Sequence, residues 1–187
     1  MKKVLFNYLL VLSMVAGCIS CAHKGWNPSA SETPKDQNVS NPKVAEAIAN
    51  FKNTDPDMKV FFKKAYGYAV FPTVGKGGMG IGGAYGKGEV YEQGLLIGIS
   101  SLTQLTIGWQ LGGQAYSELV FFKDKAALDD FKRGNFELGA QASAVAATAG
   151  ASADASYDNG VAIFTLAKGG LMYEASIGGQ KFSFEPI

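Results

Sequence analysis

From residue 41 onward the chain switches between two hydrophobic periods. Val44, Ala47, Ile48 and Phe51 recur on one helical face behind Asn41-Pro42, an N-cap followed by proline at the first helical position, which predicts a helix over 42–53. Asp55-Pro56 repeats the start signal. Met58, Phe61, Phe62 and Ala65 then form an apolar stripe beside Lys59, Lys63 and Lys64, predicting a second helix over 56–65. From Tyr66 the period falls to two. Strands are expected over 66–71, ended by Pro72, over 95–99 after a turn at 92–94, over 105–111 and over 116–122. Asp124 is placed to cap a helix running to about Arg133, with Gly134 as its stop. The alanines of 136–157 favour helix by propensity, but Gly139, Gly150 and repeated Ser and Thr argue for small-residue strands and a loop, and strand is expected. Asp158-Asn159-Gly160 reads as a hairpin turn, and 161–166, 171–177 and 181–184 as closing strands.

The stretch 75–88 is unusual within this pattern. Read as a strand it puts Gly78, Gly80, Gly82, Ala84, Gly86 and Gly88 on one side, and Met79, Ile81, Tyr85 and Lys87 on the other. A second half-bare face follows, where Leu105, Ile107, Trp109 and Leu111 alternate with Thr106, Gly108, Gln110 and Gly112. Glycine inside a strand costs about 0.5–1 kcal/mol relative to alanine, so such a run implies a surface cleared for close packing, by a helix of the same chain or by a lipid. The fold expected is α+β: a mainly antiparallel, curved sheet, barrel-like or sandwich-like, with N-terminal helices and one further packed helix.

Composition narrows the setting. With 187 residues, 47% apolar and 18% charged, the chain suits one globular domain. The net charge is +1, which gives no basic field to suggest a nucleic-acid partner. Residues 1–17 have the layout of an export signal: Lys2 and Lys3, an apolar core, then small residues before Cys18, with an apolar stretch too short to span a bilayer comfortably. Val15-Ala16-Gly17-Cys18 resembles the bacterial lipobox, which implies acyl chains on Cys18. The rival, Cys18 and Cys21 as a CxxC redox or metal pair, lacks a βαβ context and a second ligand pair. Residues 18–40 are polar and proline-containing, and read as a tether to a domain over 41–187.

Catalytic motifs fail on context. The run 78–83 fits GxGxxG, yet strand alternation continues to Tyr91 and no acid follows in 96–100 to hold a ribose. The run 82–87 imitates a phosphate loop, but its first glycine is one residue too close and Gly88 stands where Ser or Thr should hold magnesium. His23, the single histidine, falls in the tether, and Asp129, Asp130, Asp154 and Asp158 fit solvated positions. No GxSxG, HExxH or EF-hand spacing occurs. No enzymatic activity, metal or cofactor is expected.

Residues 65–72 (AYGYAVFP), the glycine-rich run through Tyr91, 108–117 (GWQLGGQAYS) and 168–171 (KGGL) resemble the SYLF family, also called the Ysc84 or DUF500 family, in the family's order and over about 41–187. The resemblance implies phospholipid and membrane binding by an exported, lipid-anchored envelope protein, with anionic lipid the expected partner. Because Ile19 follows the cysteine where an inner-membrane protein would carry aspartate, it also points to the outer membrane, facing the periplasm. The family's Gly-Pro-Val-Gly-Arg type of sequence is here Thr148-Ala149-Gly150-Ala151-Ser152, so an arginine contact to phosphate is not carried over, and neither is the actin binding of eukaryotic relatives. Under the lipid expectation, Lys63, Lys64, Lys76 and Lys87 are the headgroup candidates, and Phe61, Phe62, Met79 and Tyr85 the apolar ones. The alternatives are solvated lysines over a helix that merely covers the sheet, a structural lipoprotein that docks an envelope protein and binds no lipid beyond its anchor, and an enzyme lacking a recognisable nucleophile, base and metal set.

Overall fold

The computed structural model describes residues 41–108, 113–134, 136–139, 143–168 and 177–187, except for the side chains of 79–81 and 106–108. The signal, lipobox, tether and residues 171–176 of the strand expected at 171–177 lie outside these residues.

Helix α1 spans Pro42–Thr54. The Asn41 side chain accepts a hydrogen bond from the Lys43 amide, and Val44, Ala47, Ile48 and Phe51 form the buried face, as the spacing predicts. The second predicted helix divides into a 3-10 turn, Pro56–Met58, and a short α2, Lys59–Lys64. Helix α3, Lys125–Lys132, is capped by Asp124 and buries Ala127, Leu128 and Phe131.

The strands are β1 (Gly67–Glu92), β2 (Leu95–Gly108), β3 (Gly113–Phe122), β4 (Phe136–Glu137), β5 (Val145–Ala146), β6 (Val161–Ala167) and β7 (Gln180–Pro186). They form one sheet in the order β4-β7-β2-β1-β3-β6-β5, antiparallel except where β5 runs parallel to β6. The sheet curls. Gln180 of β7 hydrogen-bonds to Tyr116 and Glu118 of β3, although β2 and β1 lie between those strands in the pairing order. The expected barrel-like curvature is therefore present, in a single sheet.

Strand β1 is too long to be straight: 26 residues fully extended would reach roughly 85 Å. Its first arm, 67–77, pairs with β3, and its second, 80–92, pairs with β2. The arms lie against each other. A Cβ at Gly88 would fall 2.3 Å from the Val70 carbonyl oxygen and 2.7 Å from the Phe71 ring, and one at Gly67 would fall 2.6 Å from the Tyr91 carbonyl. The layer that the glycine run admits is thus the first arm of the same strand, and not a helix. Pro72 does not end the strand. It falls where the pairing with β3 shifts register, between Phe71 and Val74, a place that tolerates a residue with no N–H to give.

Two cores occupy the two faces of the sheet. Phe71, Val74, Leu102, Val120, Phe122 and Phe182 pack with α3 on the inner face. Tyr68, Val70, Tyr91, Leu119, Phe121 and Phe164 pack beneath α1 and α2 on the outer face. Residues 136–157, expected as strands, contribute only the two-residue β4 and β5 among the described residues, with turns over 149–153.

Candidate lipid-facing surface and neighbouring polar sites

Helices α1 and α2 cover only part of the outer face. Alternation along β1 carries that face from Tyr91 through Glu89 to Lys87 and Tyr85. The first two are buried, while Lys87 and Tyr85 are exposed. On β2 the register continues it: Tyr85 pairs with Thr103, Gly83 with Leu105, and Glu89 with Ile99. Leu105 is 72% exposed, Tyr85 52% and Ile99 46%. Tyr85 and Leu105 are diagonal neighbours on adjacent strands, a separation that large side chains span. Lys181, paired in register with Thr103 on β7, extends the face and reaches Glu137 at 3.4 Å. Single exposed apolar side chains are ordinary on soluble proteins, whereas several on one continuous strand surface form a patch.

The sequence-predicted residues separate sharply against this surface. Tyr85 and Lys87 are on the bare face, and Lys63 and Lys64 are exposed at the end of α2. Phe61 is in the core: its ring centroid is 5.0 Å from Phe164, 5.4 Å from Phe121 and 5.5 Å from Tyr157. Phe62 packs edge-on to Phe121 and Tyr68 at 4.9 and 5.2 Å, and Lys52 covers its ring. Both aromatics hold α2 to the sheet; Phe61 is buried, which removes it from lipid contact in this fold, while Phe62 is half-buried at the edge of the core. A six-residue helix has too few positions to bury one aromatic stripe and offer a second. Lys76 is half-buried on the first arm of β1, opposite Gln114, and desolvation pushes its ammonium below the usual lysine range. The Met79 side chain lies outside the described residues. Leu105 was not among the residues singled out from sequence. Its signal was its place among the large residues of the second half-bare strand.

Two polar sites were also missed. On the inner face Glu118 is fully buried, and Gln180 Nε2 donates to its Oε2 and to the Tyr116 hydroxyl, each at 3.1 Å. Burial pushes the Glu118 carboxyl up to about 8, against the pull of the Gln180 hydrogen bond, and burial with the nearby Glu118 pushes the Tyr116 phenol up. Glu118 Oε1 and Thr165 Oγ1, on paired residues of β3 and β6, are both buried without a hydrogen-bond partner among the described residues. The sequence signal was an acid at an inward position of an apolar strand. At the other site, Asp55 caps the 3-10 turn through the Asp57 amide and also accepts from the Ser152 and Gly150 amides at 2.7 and 3.3 Å. Burial raises its pKa, but these hydrogen bonds outweigh burial and hold the carboxyl below the usual range. Asp55-Pro56 signalled the cap, whereas the partners, 95 and 97 residues away, left no local trace.

A third feature is a cleft of about 460 Å³ between one side of α1 and the ends of β3 and β6, lined by Glu46, Asn50, Asn53, Thr54, Ser117 and 166–168. Among the described residues no cluster of three or more His, Cys, Asp or Glu side chains suited to a metal occurs, and no helix is long and apolar enough to cross a membrane.

Similarity to known proteins agrees with the motifs. The beta cell expansion factor A of Aeromonas veronii is 29% identical over 164 residues, which is 81% of this chain and 58% of that protein, so the chain spans somewhat over half of its relative's length. Residues 103–185, from the middle of β2 through β7, match the family described as "Ysc84: Las17-binding protein actin regulator", the SYLF family that the sequence motifs resemble.

Proposed function

We propose that the domain binds phospholipid membranes without catalysing a reaction, as the folded part of an exported lipoprotein held at the cell envelope, at the outer membrane, by acyl chains on Cys18. The observation that carries this reading is the bare part of the outer sheet face, where Tyr85 and Leu105 stand exposed side by side with Lys87 next along the strand. A tyrosine is amphipathic and suits the interface between headgroup and acyl chain, and lysines at the rim are attracted to anionic lipid at about 1 kcal/mol each near the surface. Lys63 and Lys64 add to that attraction from α2. The leader and lipobox of the sequence support the anchor, since several acyl chains hold stably where one would be marginal.

The lysines are tested by flotation with anionic vesicles, using the mature chain with Cys18→Ser so that no acyl anchor contributes. Replacing Lys63, Lys64, Lys76 and Lys87 together by alanine is expected to reduce binding and its salt sensitivity. Unchanged binding would remove the headgroup role from these residues. A protein that floats with no vesicle would favour the bare face as a docking surface for another envelope protein. Mass spectrometry of the mature N-terminus tests the anchor, and an unmodified Cys18 would remove it.

A further inference from the structure

The cleft beside α1 contains a chemistry that the bare face lacks. Glu46, Asn50, Asn53 and Thr54 fall at helical spacing on one side of α1, next to the face that buries Ala47 and Phe51. Across the cleft is Lys168, at the end of β6, whose Nζ donates to Thr73 Oγ1 at 3.0 Å and which no carboxylate bridges among the described residues. The cleft therefore offers a carboxylate and amide oxygens on the helix side and an ammonium on the sheet side. Asn53 and Thr54 stand in the last turn of α1, the end of a helix that favours positive charge. A purely anionic ligand would meet Glu46 and the negative end of the helix, and a purely cationic one would meet Lys168. A ligand carrying both signs satisfies both walls.

The lining narrows the choice further. Among the described residues no aromatic side chain lines the cleft, which disfavours sugars that stack on rings and quaternary ammonium groups that need an aromatic cage. Carboxylate and amide oxygens instead suit an ammonium with N–H groups to donate. The sheet wall of the cleft also carries Leu166 and Ala167, which put apolar surface beside a polar head.

We propose that this cleft binds a phosphoammonium head of the phosphoethanolamine type, with Lys168 against the phosphate and Glu46, Asn50 and Asn53 against the primary ammonium. The inference rests on the membrane-binding reading for its lipid source, and it adds a selectivity which the lysines of the bare face do not supply. Those lysines respond to surface charge, while the cleft responds to the identity of the head.

The test uses the mature Cys18→Ser chain with two sets of phosphatidylcholine vesicles holding the same fraction of phosphatidylglycerol, one set also containing phosphatidylethanolamine. Phosphatidylethanolamine is expected to raise binding at least threefold, and Glu46→Gln or Lys168→Ala to abolish that increment while leaving the phosphatidylglycerol-dependent part. Both side chains are exposed, so circular dichroism should be unchanged. In solution, O-phosphoethanolamine should shift the amide resonances of Asn50, Asn53 and Lys168 where inorganic phosphate does not. Such shifts without a vesicle preference would keep the site and make its ligand a free phosphoammonium compound. Equal binding to both vesicle sets together with no shifts would overturn the cleft proposal and leave membrane binding standing. No binding to either set, again without shifts, would overturn both.

Discussion

Two parts of one sheet face carry similar side chains and meet different surroundings. Beneath α1 and α2, Tyr68, Tyr91, Leu119, Phe121 and Phe164 are buried, with Tyr68 and Tyr91 stacked at 4.9 Å. Further along the same face, Tyr85, Ile99 and Leu105 stand in water. Strand alternation treats both parts alike, because it selects a face without saying what covers it. The difference comes from the reach of the helices: α2 is six residues long, and its aromatics are used up on Phe121, Phe164 and Tyr68. The covered part accounts for stability, and the bare part is available for a second surface.

The largest expected effect is on the covered part. Phe61→Ala should cost about 3–5 kcal/mol in denaturant unfolding, the usual range for emptying a buried aromatic position. A loss under 1 kcal/mol would mean that α2 is not fastened as described, and would return Phe61 to the list of lipid contacts.

The inner face sets a pH dependence that sharpens the contrast. The folded value of Glu118, about 8, lies above its ordinary 4.5, so the fold favours the neutral carboxyl. Its contribution is fully present below pH 4.5 and is lost as pH rises to about 8, at up to about 1.4 kcal/mol per pH unit. Glu118→Gln should flatten this limb in urea unfolding measured from pH 5 to 8.5. Asp55 has the opposite sign: its folded value is lowered, so its contribution is present above 3.8 and lost as pH falls through the folded value. A Glu118→Gln variant that kept the full loss of stability between pH 5 and 8 would contradict the neutral, buried carboxyl.

A smaller effect is expected at the contact between the arms of β1. Gly88→Ala would push a Cβ onto the Val70 carbonyl and should cost about 1–3 kcal/mol, measured as a shift of the urea midpoint. Gly75, where a Cβ meets nothing within 4 Å, is the control and should tolerate alanine far better.

Much of the fold was legible in the sequence because its signals are local. Asn41-Pro42 and Asp124 capped helices as expected, and Asn159-Gly160 turned a hairpin with both residues at positive φ. The doubling back of β1 was not legible, since the glycine run states that something approaches closely without stating what. Pro72 misled because a proline that ends most strands can occupy a register shift. In 136–157 alanine propensity and glycine interruptions pulled in opposite directions, and long-range contacts such as Asp55 with Ser152 decided the outcome. The candidate surface was half legible: Tyr85 and Lys87 followed from alternation, Phe61 was lost to the core with Phe62 half-buried beside it, and Leu105 needed the β1–β2 register to place it beside Tyr85.

The smallest expected effect on stability, and the most telling on function, is on the bare part itself. Tyr85→Ser with Leu105→Ser in the Cys18→Ser mature chain should shift unfolding by no more than about 0.5 kcal/mol each, as exposed positions do. The direct test is co-flotation of that chain with phosphatidylglycerol-containing vesicles, beside its parent. Loss of most vesicle binding with unchanged unfolding would establish the bare face as the membrane contact, whereas binding equal to the parent's would contradict it.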